Sequence, residues 1–186
     1  NAPVSHLRKI RDSGNTDGFS RTLWSEIVDM GWTAILVPEE YGGLDYGYSG
    51  MGIVLEESGR TLTPSPLLGT ALTGVAALTQ AGSESQCARL LPAVTSGQHL
   101  LALACDESSR HQPGMVETRA ESIERGFRLQ GRKISVLDGH IANTLIVSAS
   151  TGTGISLFLV PADSQGVTVE RYSVFDTHAA ANVIFD

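Results

Sequence analysis

Gly131-Arg132-Lys133-Ile134-Ser135-Val136-Leu137-Asp138-Gly139-His140-Ile141-Ala142 holds the strongest local signal in the chain. Glycines bracket Lys133 and the alternating run Ile134 to Leu137, which has the two-residue period of a strand. Asp138-Gly139 follows directly, a dipeptide suited to the positive φ angles of a tight hairpin turn. The segment therefore reads as two short strands joined by that turn.

Strand signals fill the second half of the chain. Residues 99–105, 116–121, 126–130, 133–137, 144–149, 155–160, 167–172 and 182–185 are each short and rich in β-branched or alternating apolar residues. Thr151-Gly152-Thr153-Gly154 reads as a hairpin turn between two of them. Many short strands at this spacing predict an antiparallel β-barrel or sandwich.

The first half has helical periodicity instead. Phe19, Leu23, Trp24, Ile27, Val28 and Met30 give one apolar face to a helix over 17–30, which Gly31 stops. Pro38 biases Ile35-Leu36-Val37 toward extended backbone. A second helix is expected over 49–61, with Glu56 and Arg60 paired four residues apart. A third is expected over 65–80 after Pro64 and Pro66, and a fourth over 83–91, capped by Ser83 and ended by Pro92. The fold class is α+β: an N-terminal α-helical domain over 1–97, then an antiparallel β domain over 98–186.

Composition narrows the function. The 186 residues are 41% hydrophobic and 18% charged, a globular profile. A net charge of −7 without a basic run argues against nucleic-acid binding. Cys87 and Cys105 have no CxxC spacing and no nearby His pair, so no metal site is expected. Two cysteines form no disulfide framework and suit a reducing compartment. The apolar runs are too short to span a bilayer. Asn1 in place of Met suggests that the natural start lies upstream.

Motifs of the common enzyme classes are missing from the sequence. There is no GxGxxG after a strand, no Walker A motif and no G-x-S-x-G elbow. The five histidines are scattered singly, and Glu39-Glu40 and Glu56-Glu57 read as solvated faces. Lys133 reads as a structural or surface residue in preference to a cofactor contact.

A further set of motifs stands in a fixed order. Leu23-Trp24 leads to Met30-Gly31-Trp32, then to Pro38-Glu39-Glu40-Tyr41-Gly42-Gly43. Next come Leu55-Glu56-Glu57-Ser58-Gly59-Arg60, Leu90-Leu91-Pro92 with Gly97, and Thr118-Arg119-Ala120. Gly131 with Lys133, Asp138-Gly139 and Gly166-Val167 close the series. From about Phe19 to Asp186 this order resembles the N-terminal and middle domains of the acyl-CoA dehydrogenase family. Each element is weak alone; eight in order are specific.

The resemblance implies FAD as cofactor and an acyl-CoA as substrate, oxidised to its 2,3-enoyl form. It also implies an electron-transfer flavoprotein-like acceptor, and homo- or hetero-oligomers of acyl-CoA dehydrogenase subunits. The compartment implied is a bacterial cytoplasm or a mitochondrial matrix. In the family a Glu base removes the α-proton while the β-hydride passes to the flavin. That base belongs to a C-terminal helical bundle absent from this chain, so no catalytic residue is assigned here. By the same resemblance, Cys105, Asp106, Glu107 and Ser109 would lie beside the flavin and thioester, and Ser135, Val136 and Leu137 along the flavin edge.

The departures from the pattern are informative. The family segment T-E-P-x-x-G-S-D is matched by Asp106-Glu107-Ser108-Ser109-Arg110-His111. Glu107 keeps the acid, but Asp106 replaces a Thr that hydrogen-bonds the flavin. Ser135 stands for an aromatic that packs beside the ring, and Leu137 for a hydroxyl residue. This variation is similar to the small subunits of two-component, pimeloyl-CoA-type members. Two functional readings follow: a flavin-dependent dehydrogenase represented by its first two domains, or a non-catalytic partner subunit with degenerate flavin contacts. An oxidase of the same fold, reoxidised by dioxygen, is a third.

Overall fold

The computed structural model describes residues 3–176 and 178–186. It divides into two compact units. One holds the described residues up to Leu100 together with Phe175, Asp176 and His178; the other holds Leu101–Val174 and Ala179–Asp186.

The first unit is helical. Its helices are α1 (Val4–Asp12), α2 (Arg21–Asp29), α3 (Gly47–Thr61), α4 (Val75–Ala81) and α5 (Glu84–Thr95). The helix read over 17–30 begins later, at Arg21, because Ser20 caps it by accepting the Leu23 amide. Phe19, just before the cap, meets Trp24 edge-on at 6.3 Å, a hydrophobic staple that fixes the entry of the chain. Trp24 Nε1 in turn donates to the Gly97 carbonyl at 3.0 Å, tying α2 to the end of α5. The helix α1 has no clear signal in the sequence; only its Leu7 and Ile10 are buried, too few for a period.

Three helical expectations are corrected. Ile35 is not extended: it has helical angles (φ −55°, ψ −43°) and closes a 3-10 turn over Trp32–Ala34. The bias from Pro38 acts on its immediate neighbour and does not reach back three residues. The third helix is a π-helical stretch, Leu67–Gly74, running into α4. Its small buried residues Gly69, Ala71 and Gly74 tolerate the wider turn. Pro92 does not end α5, which continues to Thr95. Fully buried Leu91 and Val94 hold the last turn against the lost hydrogen bond.

The second unit is a seven-stranded assembly: β1 (Leu101–Ala104), β2 (Arg119–Ile123), β3 (Gly126–Leu137), β4 (Thr144–Ser150), β5 (Ile155–Pro161), β6 (Val167–Ser173) and β7 (Ala179–Phe185). Pairings β2–β3, β3–β7, β4–β5 and β6–β7 are antiparallel, while β1 runs parallel to β4. Thr151–Gly154 forms the β4–β5 hairpin turn, with the Thr151 amide donating to the Gly154 carbonyl at 2.9 Å.

The strands read over 126–130 and 133–137 are one, β3. Its first part pairs with β2 and its second with β7. Gly131 is the crossing point: a Cβ there would sit 2.7 Å from the Thr118 Cα, at a φ of +149°. The register on β7 shifts between Lys133 and Val136, where Ser135 takes a φ of +52°, a β-bulge that bends the strand.

The hairpin expected at Asp138-Gly139 is not formed. The chain does turn there, with Asp138 at φ +57°, but β3 and β4 do not pair. Thr144 to Ala149 are all buried, so both faces of β4 are covered, while its edges pair with β1 and β5. The core of this unit is Ala102, Ala104, Val136, Ala142, Leu145, Val147, Val183 and Phe185.

Candidate functional site

The site is built where β1 ends and its loop runs beside β3. The Ile134 amide donates to the Asp106 carbonyl at 2.8 Å, pinning the loop to the strand. The bulge at Ser135 then shifts the register of β3 on β7.

Lys133 is wholly buried, and its Nζ donates to Glu107 Oε1 at 2.6 Å and to Ser148 Oγ at 2.9 Å. Glu107 also accepts the Glu117 amide at 2.6 Å and the Thr118 amide at 3.0 Å. Burial disfavours the Glu107 carboxylate, but hydrogen bonds from Lys133, Thr118 and Glu117 outweigh it and hold the carboxyl below its ordinary range. Two-residue alternation would put Lys133 on the polar face with Ser135; its burial, and its partner 26 residues away, carry no local signal.

The candidate residues separate into two groups. Glu107 is committed to Lys133, and Val136 is 2% exposed within the core, so neither side chain is free. Cys105, Asp106, Ser135 and Leu137 are partly or fully accessible, and Ser109 is exposed. The Cys105 thiol is pushed up by burial and by neighbouring Asp106, with Lys133 opposing. Asp106 meets His111 Nδ1 at 3.0 Å through both carboxylate oxygens. Tyr172 donates its hydroxyl to Ser135 Oγ at 3.0 Å. Sequence reasoning does not find His111 or Tyr172 as neighbours of these residues. The first arrives through the path of its loop, the second from a strand 37 positions away.

Residues 4–98 match the family model "Acyl-CoA dehydrogenase, N-terminal domain". The chain belongs to the acyl-CoA dehydrogenase family. It is 34% identical over 157 residues to a mitochondrial 2-methylacyl-CoA dehydrogenase of Solanum tuberosum, an alignment covering 80% of this chain and 38% of that one. It is 30% identical to the acyl-CoA dehydrogenase FadE27 of Mycobacterium tuberculosis, covering 81% and 39%. Among solved structures, a variant of the Tcur3481-Tcur3483 steroid ACAD matches with a TM-score of 0.90 and 31% identity, over 100% of this chain and 50% of that one. The ChsE4-ChsE5 complex of Mycobacterium tuberculosis gives 0.89 and 26%, over 100% and 49%. The chain thus spans well under half the length of these curated relatives and about half of each solved chain.

The side chains present do not fit the flavin contacts that the family pattern implies. Asp106 puts a carboxylate, already engaged by His111, where a neutral hydroxyl is wanted. Ser135 presents an oxygen engaged by Tyr172 where an aromatic face is wanted. Leu137 has no hydroxyl. Among the described residues, no helix is long and apolar enough to cross a membrane.

Proposed function

We propose that this chain supplies the helical domain, to about residue 97, and the β domain, over 98–186, of one subunit in a hetero-oligomeric, flavin-dependent acyl-CoA dehydrogenase. A homologous partner subunit completes the flavin site. The enzyme oxidises an acyl-CoA to the 2,3-enoyl thioester and passes electrons to an electron-transfer flavoprotein-like acceptor.

The observation that carries this reading is the pair of substitutions at the flavin-facing positions. Asp106 is bonded to His111 and Ser135 to Tyr172. Both polar groups have found partners within the chain, and neither offers the neutral donor or aromatic surface that an isoalloxazine ring uses. Solved complexes of the ChsE4-ChsE5 and Tcur3481-Tcur3483 kind lend support, because their names pair two gene products. When bound, FAD supplies the hydride acceptor. This chain's own contribution is a rigid wall: Lys133 and Glu107 lock the loop after β1 against β3, and Gly131 lets β3 serve two sheets.

The test is the visible spectrum of the product of the complete reading frame, purified alone and with a co-expressed homologous subunit. A flavin band only in the copurified complex, bleached by anaerobic acyl-CoA, is the expected result. A band that the chain holds and bleaches alone would overturn the need for a partner. A complex without flavin would overturn the flavoenzyme reading.

A further inference from the structure

The loop after β1 also carries a set of metal-ligating side chains, of which the proposed function uses Asp106 and His111 only as a hydrogen-bonded pair. Cys105 Sγ, a carboxylate oxygen of Asp106 and a ring nitrogen of His111 all lie within 4.8 Å of one another. Among the described residues no other three His, Cys, Asp or Glu side chains converge in this way. We propose that Cys105, Asp106 and His111 form a binding site for a divalent transition-metal ion of the zinc class, with water in the remaining position.

The chemistry of the donors selects the ion. One thiolate, one imidazole and one carboxylate suit a borderline-soft metal such as Zn2+ or Co2+ in tetrahedral geometry. Ca2+ and Mg2+ require an all-oxygen shell, which one carboxylate cannot supply. A thiolate and a carboxylate together also balance the charge of a divalent cation.

The frame is largely set in advance. The Asp106 carbonyl is held by the Ile134 amide at 2.8 Å, and the Cys105 carbonyl faces Lys133 Nζ at 3.5 Å. Both ligands therefore sit on backbone fixed to β3. Lys133 is paired with Glu107 at 2.6 Å, which offsets its charge in part. His111 is the adjustable member, its side chain 71% exposed and already drawn to Asp106 at 3.0 Å. Donors around a tetrahedral zinc stand about 3.5 Å apart, given bonds of about 2.0–2.3 Å. His111, on an exposed side chain, can rotate toward Cys105 without moving the strand.

This inference does not rest on the flavin reading, and its test reads a different signal. The full reading-frame product, stripped with chelator, is titrated with Co2+ and followed as a difference spectrum against the same sample without cobalt. One equivalent is expected to raise a thiolate-to-cobalt charge-transfer band in the near ultraviolet, displaced by one equivalent of Zn2+. Cys105→Ser should abolish the band. His111→Ala, at an exposed position that leaves the packing intact, should weaken Co2+ binding at least about tenfold. Cys87→Ser, in the helical unit, should change neither. The site is overturned by any of three results: no charge-transfer band at millimolar Co2+, a band that survives Cys105→Ser, or an affinity unchanged by His111→Ala.

Discussion

Lys133 Nζ and Glu107 Oε1 stand 2.6 Å apart, with the lysine side chain wholly buried and the glutamate 10% exposed. A strand interior and a loop 26 residues earlier in the chain are thereby joined by a charged hydrogen bond in a low-dielectric setting. Removing one partner leaves the other charge buried and unpaired, which costs more than the pair itself contributes.

Lys133→Met is therefore expected to destabilise the protein by about 3–5 kcal/mol. Lys133→Met combined with Glu107→Gln should recover about 0.5–3 kcal/mol of that loss. The neutral amide oxygen can still accept one of the Glu117 and Thr118 amides, which Glu107 takes on different oxygens, without a stranded charge. Arg60→Ala is the control, since Arg60 meets Glu57 at 3.3 Å on an exposed surface; its loss should stay below about 1 kcal/mol. Urea midpoints of the parent and the three variants decide the matter, and a Lys133→Met midpoint equal to that of Arg60→Ala would refute the buried-pair account.

His99 gives the helical unit a pH dependence of known sign. Burial, and then the positive charge of Arg89, depress its folded pKa below the ordinary histidine value. Between the depressed folded value and the unfolded value near about 6.5, the unfolded chain binds more protons. Stability therefore rises with pH across that window. Its contribution is complete above about pH 6.5 and is lost as pH falls toward the folded value. Unfolding titrations between about pH 5 and 8 should show this slope, and His99→Gln should flatten it. A stability that falls as pH rises through this window, and does so less in His99→Gln, would contradict the assignment.

Much of this architecture is legible in the sequence because local rules and tertiary packing agree. The Ser83 cap, the Gly31 stop, the Thr151–Gly154 turn and the change from helical to strand periodicity all depend on neighbours within a few residues. The misreadings share a cause. At Asp138-Gly139 the dipeptide turns the chain as expected, but β4 pairs with β1 and β5 and β3 with β2 and β7, partners that lie outside the local sequence. At Pro92 the packing of Leu91 and Val94 overrides the local penalty. The site follows the same division. Asp106 and Ser135 stand out as departures from a family pattern, whereas His111 and Tyr172 become their partners only through the loop path and the β6–β7–β3 register.

Gly43 and Gly52 lie nine positions apart and should respond to alanine in opposite directions. A Cβ on Gly43 would overlap the Val37 carbonyl oxygen, because residues 43–46 run back along 34–38. Backbone cannot yield there as a side-chain tip would, so Gly43→Ala should cost at least about 3 kcal/mol, the upper end for overpacking. Gly52 lies inside α3, where an added methyl would meet nothing within 4 Å. Gly52→Ala should stabilise by up to about 1 kcal/mol through helix propensity alone. Thermal melts of the two variants check both signs, and destabilisation by Gly52→Ala would show that the α3 surface is covered in the assembled protein.

The start of α5 offers a local test that leaves the site untouched. Ser83 Oγ accepts the Gln86 amide at 3.3 Å, while Gln86 Oε1 accepts the Ser83 amide at 2.8 Å, a reciprocal capping box. The helix needs this support because Pro92 has already removed one of its interior hydrogen bonds. Ser83→Ala should cost about 0.5–2 kcal/mol, and Ser83→Asp, which keeps an acceptor and suits the helix dipole, should cost little. Amide hydrogen exchange across 84–95 should accelerate in Ser83→Ala and not in Ser83→Asp. Equal exchange in both variants would mean that packing of Cys87, Leu90, Leu91 and Val94 alone fixes the helix start.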